Sequence, residues 1–266
     1  MTKPITIKAL LLAAGLAVSG MVAAAEGGHL QQSGTDLTDQ ASLQRGATAY
    51  MNYCAGCHSL GHLRYARMGE DLGLTEEQVM ANLNFAGAKW GDHIVSPMAP
   101  AFGQQAFGKA PPDLSLVARV RGPDWIYTYL KSFYLDESRP IGWNNSLFPN
   151  ASMPNPLWHL QGSQRPVFNP KVDSGKTLDG KPLLACPEGM TEIDDACLRQ
   201  FVVAQPGTQE PAVFDQTVRD ITAFLEYSAE PAALKRPALG VWALLFLAAF
   251  TFMAWLLKRE YWRDVH

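Results

Sequence analysis

Cys54-Ala55-Gly56-Cys57-His58 is the stretch on which the reading of this chain turns. Cys-x-x-Cys followed at once by His is the attachment signature of a c-type haem. Two thiols at that spacing add across the two vinyl groups on one edge of the ring. The adjacent imidazole then reaches the iron as proximal ligand. A thiol–disulfide redox pair or half of a zinc site would share the two cysteines. The first needs a βαβ context that the flanking sequence lacks. The second needs another ligand pair at similar spacing, and the other cysteines, Cys186 and Cys197, have ten residues between them. The motif occurs once and no internal period is visible, so one haem is expected.

Working outward, residues 43–53 favour helix and run straight into the motif. The sixth iron ligand must come from elsewhere in the chain, and a methionine there suits electron transfer. Met51 is too near the motif, Met68 and Met80 fall in or beside helices, Met253 is in a long apolar run, and Met190 lies between Cys186 and Cys197. Two Pro-flanked loop candidates remain, Met98 in Ser-Pro-Met-Ala-Pro and Met153 in Ser-Met-Pro-Asn-Pro, with His62, His93 and His159 as rivals. Arg119 and Arg121 follow Pro111-Pro112-Asp113-Leu114-Ser115 and are candidates for haem propionates, which arginine binds bidentately, solvated surface charges being the commoner alternative. Thr75, with Glu76 and Glu77 behind it, reads as the cap of a helix running to about residue 86. Residues 94–113, with four prolines, read as extended loop. Residues 114–121 and 124–132 read as helices broken at Gly122-Pro123. Residues 136–212 are rich in Pro, Gly, Asn and Asp and read as one long irregular segment, with a short hairpin around Asp179-Gly180. From Val213 to Ala229, Phe214, Val218, Ile221 and Leu225 recur on one helical face.

The two ends differ from the middle. Residues 1–25 carry Lys3 and Lys8, then an apolar stretch, then three alanines, the pattern of a secretory signal cleaved before Glu26; a retained membrane helix is the alternative. Residues 26–37 are polar and Gly-rich and read as a loosely held lead-in. Residues 235–257 make a basic link and then an uncharged apolar run from Ala238, twenty residues long. At ~1.5 Å per residue that crosses a ~30 Å hydrocarbon core. Trp242 and Trp255 sit near its ends, where amphipathic rings favour the interface. Export of residues 26–234 leaves 258–266 as a cytoplasmic tail. In that oxidising compartment Cys186 and Cys197 are expected to pair, two free thiols being the alternative.

The exported stretch holds 15 basic and 23 acidic residues, a formal charge of −8. Nucleic acid is an implausible partner for such a surface, and a basic protein fits it, although solubility alone accounts for the charge more readily. No nucleophile, general base or phosphate-binding loop stands out.

With these residues in hand the chain resembles the cytochrome c1 family, the haem subunits of quinol–cytochrome c reductase (the cytochrome bc1 complex). The resemblance rests on Cys54 to His58, on Pro111 to Ser115 with Arg119 and Arg121, on Ser152-Met153-Pro154, and on the helix ending Ala229-Glu230-Pro231 before one C-terminal span. It implies a mainly α fold, a cytochrome c-like haem domain with long irregular loops plus one C-terminal transmembrane helix. It makes Met153, not Met98, the partner of His58 on the iron. It places Pro111 and Pro112 along the haem held by Cys54 and Cys57, and Arg121 at a propionate. Trp125 stands where the family often has a tyrosine near the haem, and the Cys186–Cys197 stretch looks like a bacterial insertion. The implied partners are a cytochrome b, a Rieske iron–sulfur protein that gives the electron, and a soluble basic cytochrome c that takes it. The implied place is a bacterial inner membrane, with the haem domain in the periplasm. Glu70, Asp71, Glu76 and Glu77 are the candidate docking acids. A membrane-tethered electron shuttle or an oxidase haem subunit is the alternative, and a haem peroxidase or gas sensor would need an open iron.

Overall fold

The computed structural model of the chain describes residues 30–178, 181–187, 190–193 and 196–263. Helix α1 (Gln40–Tyr53) starts where the Asp39 carboxylate accepts the Ser42 amide and ends on Cys54. Strand β1 (Leu60–Arg64), helices α2 (Tyr65–Leu72) and α3 (Glu76–Asn82), and strand β2 (His93–Ile94) follow. Thr75 caps α3 with a reciprocal box: its hydroxyl accepts the Gln78 amide, and the Gln78 side chain accepts the Thr75 amide. This helix stops at Asn82, four residues short of the expected end.

The stretch read as loop over 94–113 holds a helix, α4 (Pro100–Phe107). Pro100 does not break it, because proline in the first turn has no amide to lose, and Gly108 closes it in the left-handed conformation at φ 76°. Helices α5 (Val117–Arg121) and α6 (Pro123–Lys131) are parted at Gly122-Pro123 as expected, with Gly122 at φ 86°. Strands β3 (Phe133–Leu135) and β4 (Trp143–Asn145) then pair antiparallel.

Beyond a single turn of helix α7 (Trp158–Gln161), the long segment departs from its irregular reading. Strand β5 (Gly162–Asn169) pairs antiparallel with a strand far along the chain, and the hairpin strands β6 (Val172–Leu178) and β7 (Lys181–Ala185) lie between them. The turn expected at Asp179-Gly180 lies outside the described residues, but the strands flanking it pair. Strand β8 (Thr191–Ile193) and the long β9 (Ala196–Pro206) complete a three-stranded sheet in the order β5-β9-β8. Of the described residues 46% are helical and 20% lie in strands, so "mainly α" describes the core and omits this β lobe.

Helix α8 (Pro211–Ala229) crosses α1 to make the centre of the core. Leu43, Ala47 and Tyr50 of α1 meet Val218, Ile221 and Phe224 of α8, all at most 2% exposed, with the Tyr50 and Phe224 rings 5.6 Å apart. Burying each large apolar side chain there contributes about 1.5–3 kcal/mol. The lead-in over 30–37 is tied down, not loose. Ser33 is 2% exposed, its amide and hydroxyl both donate to Asp124, and Arg219 donates to its carbonyl. Residues 26–29, and with them residues 1–25, lie outside the described residues.

After a 3-10 turn at Pro231–Leu234, helix α9 (Arg236–Tyr261) runs for 26 residues. It is long and apolar enough to cross a membrane, and none of it is buried against the rest of the protein.

Candidate haem site

The motif turns tightly off the end of α1. Cys54 and Ala55 donate their amides to the Tyr50 carbonyl, and Cys57 and His58 donate theirs to the Cys54 carbonyl at 3.0 and 2.8 Å. These bonds use carbonyls that a helix end otherwise leaves unpaired. From beneath, the Tyr50 phenol donates to the His58 carbonyl at 2.7 Å. Burial, and next the Cys54 thiol beside it, push the Tyr50 phenol well above its ordinary range, so it stays a donor.

Both motif thiols are free, Cys54 buried and Cys57 partly exposed. Burial, helped by the neighbouring Cys57, pushes the Cys54 thiol up to about 12, and burial raises Cys57 as well. A redox Cys-x-x-Cys works by the opposite device, a thiolate stabilised at a helix N-terminus. Here the pair sits at a helix C-terminus, whose dipole disfavours negative charge. Among the described residues no group of three or more His, Cys, Asp and Glu is placed to hold a metal ion, so the zinc reading finds no partners.

His58 is 8% exposed, and its Nδ1 lies 2.8 Å from the Pro112 carbonyl. A carbonyl only accepts, so Nδ1 carries the proton and Nε2 keeps its lone pair, the form an axial iron ligand needs. Burial lowers the imidazole's pKa, against the opposing pull of Pro112 and Asp113, and keeps the ring neutral. The strap 111–115 is fastened to the residues just after the motif by three further bonds. Leu114 donates to the Ser59 carbonyl at 2.9 Å, Gly61 to the Asp113 carboxylate at 2.8 Å, and His62 to the Ser115 hydroxyl at 3.1 Å. On another side the Ser96 amide donates to the Ser59 hydroxyl and the Ser96 hydroxyl to the Gly56 carbonyl, both at 2.9 Å. Two free thiols beside an imidazole with a directed lone pair form a donor set that can hold a haem covalently.

Met153 lies in a second grouping. The Tyr129 hydroxyl on α6 donates to its sulfur, 3.8 Å away. Tyr129 stacks on Trp125 with ring centroids 4.9 Å apart, and the Arg121 guanidinium lies 5.1 Å from the Trp125 centroid and 6.0 Å from that of Phe148. Arg121, Trp125, Tyr129 and Met153 thus form a continuous row. Burial pushes the Tyr129 phenol up to about 12.

Met98 lies just before α4, and its amide donates to the same Ser96 hydroxyl that bonds Gly56 of the motif. Pro111 packs against the same helix, its Cδ only 2.5 Å from where a Cβ on Gly103 would stand. Of the histidine rivals, His62 is exposed, His93 lies in β2 with a buried Nδ1 that makes no hydrogen bond, and His159 is engaged by the Tyr53 ring at 5.3 Å. Sequence reasoning missed Tyr50, Ser96 and Tyr129. Their spacings were available, four residues before Cys54 and four after Trp125, but only the fold shows what their hydroxyls reach.

Away from the motif, Cys186 and Cys197 form a disulfide with Cα atoms 5.4 Å apart, joining the approach to β8 with β9. Of the candidate docking acids, Glu70, Glu76 and Glu77 are exposed. Asp71 is not available: its side chain is 3% exposed, ion-paired with Arg67 and bonded by the Tyr227 phenol at 3.0 Å.

The family model described as "Cytochrome C1 family" matches residues 31–265. The cytochrome c1 of Allochromatium vinosum is 46% identical, over 94% of this chain and 96% of its own length. A protein of Nitrosomonas europaea named ammonia monooxygenase gamma subunit is 37% identical over 98% of this chain and 99% of its own. The cytochrome c1 of Rhodospirillum rubrum is 30% identical over 97% and 98%.

Proposed function

The chain belongs to the cytochrome c1 family, and from that membership we propose that it is the electron-carrying haem subunit of a quinol–cytochrome c reductase in a bacterial inner membrane. The observation that carries the reading is the His58–Pro112 bond beside two free thiols.

Cys54 and Cys57 would hold one c-type haem, and His58 and Met153 would supply the protein ligands to its iron. Bound there, a haem supplies reversible one-electron exchange. The chain's own residues do the rest. Pro112 fixes the His58 tautomer, and the strap through Leu114, Asp113 and Ser115 holds that carbonyl in place. Met153 would present a soft thioether, a ligand that suits electron transfer by raising the potential. Pro111, Pro112 and Arg121 would help to hold the group. The chain itself would only carry electrons, and the reaction of quinol would belong to the whole complex.

The electron would come from a Rieske iron–sulfur protein and leave to a soluble basic cytochrome c. The acidic domain, with Glu70, Glu76 and Glu77 exposed, supports the second partner through complementary charge. A cytochrome b would sit beside α9, and residues 26–234 would face the periplasm after removal of residues 1–25. The test is affinity purification of the full chain in mild detergent. Copurification of a cytochrome b and an iron–sulfur protein is the expected result. A haem protein that purifies alone, or with oxidase subunits, overturns the reading.

A further inference from the structure

We propose that the Tyr129 hydroxyl is a positioning and tuning group for the Met153 sulfur, and that it shifts the haem towards its reduced state. The inference rests on Met153 being the distal ligand, as proposed above.

The contact is built, not incidental. The bond to Met153 is the Tyr129 hydroxyl's one hydrogen bond among the described residues. The ring is fixed by the Trp125 stack on one side and by Phe133, edge-on at 5.1 Å, on another. The loop that carries Met153 is tied to the same helix on both flanks. Ahead of it, the fully buried Asn145 donates to the Tyr129 carbonyl at 2.8 Å and accepts the Leu147 and Phe148 amides at 2.9 and 3.0 Å. Behind it, Gln161 donates to the Lys131 carbonyl at 3.0 Å. Hydroxyl and sulfur are therefore held in register by backbone anchors that do not depend on either.

A thioether sulfur is a weak acceptor, and the lone pair given to a hydroxyl is less available to a metal. Ferric iron demands that density more than ferrous iron does, so the bond favours the ferrous form, as hydrogen bonds to a ligand commonly tune a metal centre. It also restrains the sulfur against rotating away.

The experiment uses the full haem-loaded chain in detergent, as parent, Tyr129→Phe and Met153→Leu. Each is followed by potentiometric titration, by the near-infrared sulfur-to-iron band of the oxidised form, and by thermal unfolding. Phenylalanine keeps the ring and its stack. At a fixed ambient potential Tyr129→Phe should change the oxidised-to-reduced ratio about threefold or more towards oxidised, the size of one modest hydrogen bond. Its sulfur-to-iron band should shift in position. A purely structural role would lower the unfolding temperature and leave ratio and band unmoved, which overturns the inference. If the parent lacks the band, or Met153→Leu keeps it, the ligand assignment falls and this inference with it.

Discussion

Asp113 touches no proposed ligand, yet its carboxylate joins the strap to the start of β1 through the Gly61 amide and steadies the strap itself through the Ser115 amide at 2.7 Å. Burial alone would raise its pKa, but the hydrogen bonds from Ser115 and Gly61 outweigh burial and hold the carboxyl below its ordinary value. A depressed folded-state pKa adds stability above the unfolded value, and that stability is lost as pH falls through the folded one. The Pro112 carbonyl should therefore loosen from His58 only below about pH 4. Asp113→Asn should remove this acid dependence and weaken the strap at neutral pH. Acid titration of the haem spectrum in parent and variant reads both effects, and identical acid midpoints would refute the assignment. The cysteines and His58 could be singled out in the sequence because covalent attachment of a haem would demand adjacency in the chain. Tyr129 could not, since its bond to Met153 spans 24 residues and depends on where a loop is anchored.

At the scale of elements, α1 and α8 cross at Gly46. A Cβ there would run into the Asp220 backbone carbonyl and come within 2.9 Å of the Phe224 Cβ. Both obstacles are α8 atoms held in the core, so neither can swing aside. Gly46→Ala should push the helices apart and destabilise the domain by about 1–3 kcal/mol, the usual cost of overpacking. Denaturant unfolding of the haem-loaded chain checks this, and an unchanged midpoint would mean that the crossing is looser than the close approach implies. Because α1 delivers Cys54, haem incorporation should fall as well. The stripe on α8 was readable since one face stays buried throughout: Phe214, Val218, Ile221 and Leu225 are at most 4% exposed. Helix α4 was hidden by its prolines, which flag loops unless one of them occupies a first turn. The β lobe was hidden because β5 lacks the strict alternation that marks a half-buried strand, and its partner β9 lies beyond an intervening hairpin.

Over the whole molecule, core and anchor are separable. Every core side chain comes from residues before Lys235, and α9 buries none of its own. Leu239, Trp242, Phe246, Phe250 and Leu257 are 58–73% exposed, a surface that water penalises and lipid does not. The junction is held by charge, with Arg236 paired to Glu230 and Lys235 3.8 Å from Asp71. These pairs tether the anchor but supply little folding energy, since exposed ion pairs are worth about 0–1 kcal/mol. A chain ending at Leu234 should therefore be released from membranes while keeping its haem spectrum and its unfolding midpoint. Carbonate extraction and flotation read the first, spectroscopy and denaturation the second. A truncated chain that floats with membranes would mean another segment binds lipid. One that loses its haem would mean α9 supports the core in a way its exposed side chains do not suggest.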